Sequence, residues 1–104
     1  VIAAGFASEA AMFVAAATVE LHIEAAQSLK AKRGVVQSIK KRVRNEFNVS
    51  IAEVGGQDTW QVAVLGMAAV SGEAQDARTR LERAIDFIED LRLAEVTDQE
   101  VEIL

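Results

Sequence analysis

SLKAKRGVVQSIKKRVRNEF, residues 28–47, repeats its apolar side chains with the period of an α-helix. At 100° per residue, Leu29, Val35, Val36, Ile39, Val43 and Phe47 fall on one face, the core-facing stripe of a helix about five turns long. Ser28 suits the N-cap, because its hydroxyl oxygen can accept from a free backbone N–H of the first turn; Ala31 stands where a capping-box Glu or Gln would be. Lys30, Arg33, Gln37, Lys40, Lys41 and Arg44 share an adjoining face, so the basic residues form a stripe. The segment gathers seven of the chain's 11 Lys and Arg residues.

Lys30, Lys32 and Arg33 occupy the first turns, where the helix dipole is positive and acidic residues would be favoured by about 0.3 to 1 kcal/mol each. Cations beside free backbone N–H groups suit an anion such as phosphate. Two readings stay open at this point: an anion-binding surface, and a solvated polar face that happens to be basic.

Working outward, Phe13 to Ile23 ends in alternation, with Val19, Leu21 and Ile23 opposite Thr18, Glu20 and His22, the pattern of a half-buried strand. Val49 to Val54 reads as a second strand, followed by turn chemistry in Gly55-Gly56-Gln57-Asp58-Thr59. Trp60 to Val70 is a third strand, apolar on both faces, which marks a central strand whose outer side is covered or thinly exposed. Glu73 to Leu91 repeats Ala77, Leu81, Ala84, Ile85, Ile88 and Leu91 at helical spacing, and Val96 to Leu104 alternates Val101 and Ile103 with Glu100 and Glu102. The order β-α-β-β-α-β predicts an α+β, ferredoxin-like domain: a four-stranded antiparallel sheet with two helices on one face.

The 104 residues predict a single domain over residues 12–104. Residues 1–11, VIAAGFASEAA, precede Met12 and are expected to be an upstream extension, with a short Ala-rich helix as the alternative. With no Cys, disulfides and thiolate chemistry are excluded, and a cytoplasmic location is the expectation. No apolar run reaches the 18 or so residues of a membrane span. The net charge of −5 conceals a segregation: residues 28–46 carry seven cations and one acid, residues 73–104 four cations and ten acids. A dipolar chain of this kind can present a basic face to nucleic acid despite its acidic total.

The segments VELHI, SLKAKR and EVGGQDTWQVAVLG, spaced as here, resemble the YlxP-like family, domain of unknown function 503, over Met12 to Leu104. The resemblance implies a ferredoxin-like fold and no assigned biochemical role; genes of that family often neighbour those for transcription elongation, translation initiation and ribosome maturation. The chain departs from the family pattern at Glu24-Ala25, where a Pro-containing turn often stands, at Gly34, and at Gly56, where a bulkier residue, often His, precedes Gln-Asp.

The candidate sites follow. His22 alternates with Glu20 and would approach Glu100 or Glu102 if the closing strand is its neighbour, but a polar strand face explains it without a metal. Gly55-Gly56 lacks any phosphate-loop pattern. Gln57, Asp58, Trp60 and Gln61 combine an aromatic with amides, suited to stacking a base or contacting a partner; the structural alternative, favoured here, has Trp60 closing one end of the core. With neither a nucleophile–base pair nor a cofactor loop, no enzyme and no cofactor are expected.

The leading expectation is a non-enzymatic module that binds structured RNA or the ribosome through phosphate contacts from Lys30, Lys32, Arg33, Lys40, Lys41 and Arg44. The alternative is a protein-interaction or homo-oligomeric module, pairing that helix with Glu82, Asp86, Glu89 and Asp90 of another copy or burying the apolar outer sheet face with Val14 and Ala16 in a homodimer.

Overall fold

The computed structural model describes residues 10–104, together with the backbone of Ile2–Ala3. Its elements are β1 (Ile2–Ala3), β2 (Ala11–His22), α1 (Leu29–Glu46), β3 (Ser50–Gly55), β4 (Val62–Ser71), α2 (Ala74–Asp90) and β5 (Glu95–Ile103). The expected extension over residues 1–11 falls largely outside the described residues, apart from the pairing of Ile2 with Met12 and Ala3 with Ala11.

α1 starts where the sequence places it. The Ser28 hydroxyl accepts from the Ala31 N–H at 3.0 Å, and the backbone turns extended again at Phe47, whose N–H closes the helix on the Val43 carbonyl at 2.8 Å. α2 begins without a side-chain cap, but Asp76 stands in its first turn and meets Arg80 one turn later at 2.8 Å. It ends at Leu91, after which Arg92 takes the left-handed conformation, φ 59°, that terminates many helices.

β2 and β4 are the central strands, in register from Phe13 opposite Ser71 to His22 opposite Val62. β3 joins the outer side of β4 and β5 that of β2, giving the order β3-β4-β2-β5 with every pairing antiparallel. This is the ferredoxin-like topology. Both helices lie on one face, where Ala15, Ala17, Val19 and Leu21 of β2 alternate inward beside Ala63, Leu65, Met67 and Ala69 of β4. Small residues at the sheet centre and Ala77 and Ala84 of α2, all buried, allow close helix–sheet approach. An edge-to-face contact of Phe47 and Phe87, 5.5 Å between ring centres, ties the two helices together.

One expectation about the third strand needs correction. β4 begins at Val62, and Trp60 is 54% exposed, so this ring does not close the core. Of the two alternatives for the outer side of the sheet, the thinly exposed one fits the described residues: Val14, Ala16, Val62, Val64 and Ala68 are half-buried, and Val54 and Val70 are exposed.

Candidate functional site

Two of the three segments that carry the family resemblance, SLKAKR and EVGGQDTWQVAVLG, meet at one end of the molecule. Lys32, in the first turns of α1, is 1% exposed. Its Nζ donates to the carbonyls of Gly56 and, at 3.1 Å, Val62, and lies 3.3 Å from Glu53 Oε2. That carboxylate oxygen, buried beside the ammonium, has no hydrogen-bond partner, so the ion pair is its only compensation. Lys32 is therefore not available for the phosphate contacts expected of it: it turns inward and clamps the loop between β3 and β4. Its burial follows from spacing, since Lys32, Val36, Ile39 and Val43 are the buried positions of α1.

Gly56 makes this clamp sterically possible. It adopts φ +75°, and a Cβ there would stand 2.8 Å from the Val62 carbonyl oxygen. The departure from a bulkier residue at this position thus has a local cause in this chain. Gln61 makes a second tie: its side-chain amide donates to the carbonyls of Glu24 at 3.0 Å and Ala26 at 3.3 Å, while the Ile23 N–H donates to the Gln61 carbonyl at 2.8 Å. Gln61 is thereby a structural residue, while Gln57, Asp58 and Trp60 are left exposed on a loop held at both ends.

The remaining cations form the expected stripe. Lys30, Arg33, Lys41 and Arg44 are exposed and Lys40 is half-buried. Arg44 donates to the Ile51 carbonyl at 3.0 Å, which places the stripe on the flank of α1 beside the edge strand β3. Among the described residues, the side-chain ion pairs are Lys32–Glu53, Arg78–Glu82 and Arg80–Asp76, so none of these five cations has a carboxylate within 4.0 Å. The flank is cationic and solvated, and among the described residues no carboxylate pairs with it.

Elsewhere the chemistry is sparse. β5 does neighbour His22, but a register shift between Glu20 and Leu21 places Glu95 opposite it; Glu100 faces Thr18 and Glu102 faces Ala16. His22 lines an open cleft with Glu24, Glu89, Arg92 and Glu95, and no group of three or more ligating side chains suited to a metal occurs among the described residues. Glu82, Asp86, Glu89 and Asp90 are all exposed on α2. The outer sheet face carries Glu20, Asp98, Glu100 and Glu102 and no stacking aromatic on its central strands. No described helix is long and apolar enough to cross a membrane.

"Uncharacterized protein YlxP" of Bacillus subtilis (strain 168) is 50% identical over 64 residues, which cover 62% of this chain and 70% of that relative. A solved structure, "De novo designed protein Foldit4", aligns with 90% of this chain and 94% of its own at 18% identity and a TM-score of 0.48. The family model described as "Protein of unknown function (DUF503)" matches residues 14–101, and the chain belongs to that family.

Proposed function

We propose that this protein is a non-catalytic, cytoplasmic module that binds structured RNA, such as that of the ribosome, through the exposed flank of α1. The supporting observation is the stripe of Lys30, Arg33, Lys40, Lys41 and Arg44, none of them ion-paired among the described residues. A stripe of this length reaches about three to five phosphates, so log affinity against log salt falls with a slope of about −2 to −4. Shape and backbone are read rather than base sequence.

Fluorescence anisotropy of labelled RNA hairpins, titrated across a salt series, is the test. Lys30→Glu with Lys41→Glu changes two exposed positions without touching the Arg44 bond to β3, and lowers both the affinity and the magnitude of the slope. Binding that ignores salt, or ignores this double reversal, sinks the proposal. Crosslinking in cells followed by sequencing of the attached RNA then identifies the target.

A second reading is pairing of two copies across the outer sheet face, favoured by the exposed Val54 and Val70 around the half-buried Val14, Val62 and Val64. The acidic row of Asp98, Glu100 and Glu102 restricts the geometry. A two-fold axis across the strands would stack β5 on the other copy's β5, acid on acid; an axis along the strands places β5 over β3 instead. Sedimentation at high micromolar concentration checks it: a dimer dispersed by Val64→Lys supports the pairing, and a monomer at that concentration refutes it.

A further inference from the structure

We infer that Trp60 stacks on an unpaired nucleobase, so that the ligand of the basic flank is RNA in which a structured segment adjoins at least one unpaired nucleotide; this rests on the RNA reading above. Trp60 is 54% exposed, a large apolar surface left in water on a loop rather than in a core. The loop is held in place: Gly56 and Val62 on either side of it accept from Lys32, Gln61 is tied to the Glu24 and Ala26 carbonyls, and the Thr59 N–H bonds back to the Gly56 carbonyl at 3.1 Å. A ring on a pinned loop loses little freedom on binding, which favours its use as a platform.

The chemistry beside it selects the partner. Lys32 joins the loop to the first turns of α1, so Trp60 stands two residues from a carbonyl held by the turn that carries Lys30 and Arg33. Phosphates held by Lys30 and Arg33 would therefore sit on the turn that Lys32 ties to the loop of Trp60. The sequence neighbours of Trp60 are the exposed polar residues Gln57, Asp58, Thr59 and Gln61. A ring that anchors a protein sits among apolar groups that exclude water; a stacking ring needs only the face of a base, with polar groups near its edge.

The chain has one tryptophan, so its fluorescence reports on this residue alone. The probes are a blunt RNA hairpin, the same hairpin with a short unpaired overhang, and the overhang hairpin with abasic sites in place of the overhang bases. The overhang hairpin should quench Trp60 and bind tighter than the blunt one by about 5-fold to 150-fold, the range of one stacked base. The abasic probe should bind like the blunt hairpin. Trp60→Phe keeps the preference and Trp60→Ala abolishes it, leaving the salt slope on the blunt hairpin unchanged. Equal affinity for all three probes, or emission that RNA does not alter, overturns stacking while the phosphate reading stands. Failure of every hairpin to bind overturns both. If Trp60→Ala instead changes the sedimentation of the protein with RNA affinity intact, the ring belongs to a protein contact and the inference is wrong.

Discussion

Lys32→Met removes the ammonium while keeping most of the stem volume, and it separates the inward lysine from the outward stripe. Three acceptors lose the ammonium at once: Glu53 Oε2, the Val62 carbonyl and the Gly56 carbonyl, the last keeping its bond from the Thr59 N–H. Breaking a buried ion pair by removing one member costs about 3 to 5 kcal/mol. Glu53 retains 19% exposure of its side chain, so water relieves part of that, and about 3 kcal/mol is the working figure. For a domain of about 100 residues, each 1 kcal/mol lowers Tm by about 4 to 8 °C, so a fall of more than 10 °C is expected. Urea unfolding followed by circular dichroism measures it. Lys32→Met with Glu53→Leu should recover most of the loss, because the unpaired carboxylate accounts for most of it. RNA affinity and its salt slope, measured below the transition, should match the unsubstituted protein. A loss under about 1 kcal/mol, well short of that expected for a broken buried pair, together with a shallower salt slope, would mean that Lys32 faces the solvent and that the clamp is wrongly assigned.

The other expectations concern glycines and the head of the stripe. Gly34 lies within α1 with nothing near its missing Cβ, so Gly34→Ala should raise stability by about 0.8 to 1 kcal/mol, read from the urea midpoint. Gly56→Ala should lower it by about 1 to 3 kcal/mol, since the new Cβ meets the Val62 oxygen in a left-handed conformation; an unchanged midpoint would refute the tight turn. Lys30→Glu, near the positive end of the α1 dipole, should stabilise the helix by about 0.3 to 1 kcal/mol and at the same time weaken RNA binding. In the salt titration that single reversal should remove roughly one phosphate contact, about 0.7 to 0.9 from the slope.

The fold was legible because period alone separates the elements: the 3.6-residue repeat of Val36, Ile39 and Val43 and the two-residue alternation of Val19, Leu21 and Ile23 are written in side-chain polarity. The site was legible only in part. Lys32 stands at the spacing of the core stripe, but a wheel drawn by polarity assigns every lysine to solvent. The missing signal was Glu53, a charge on the inward side of a short strand after Ile51, which demands a buried partner. Trp60 was drawn into the strand by its apolar neighbours to the C-terminal side, whereas the ties of Gln61 to Glu24 and Ala26 end the strand before it. The pairing of His22 with Glu95 depends on the irregularity after Glu20, which shifts the register without leaving a pattern in residue type.

The two helices of this protein treat their N-termini differently, and the contrast bears on function. α2 follows the electrostatic rule, with Glu73 at its cap, Asp76 in its first turn and Arg80 paired to that acid. α1 has no acid in its first turn and carries Lys30, Lys32 and Arg33 near the same end. Lys32 is accounted for by Glu53 and two carbonyls, a local solution to holding the β3–β4 loop. Lys30 and Arg33 have no such partner among the described residues; they stand exposed where the dipole repels them, in line with Lys40, Lys41 and Arg44. General aversion to cations at helix starts is thus obeyed once and broken once in the same chain. A local rule broken without a compensating gain in the fold is the pattern of a residue kept for what it binds. An anion along this flank would supply the missing compensation, and a polyanion spaced like an RNA backbone would meet the whole stripe at once.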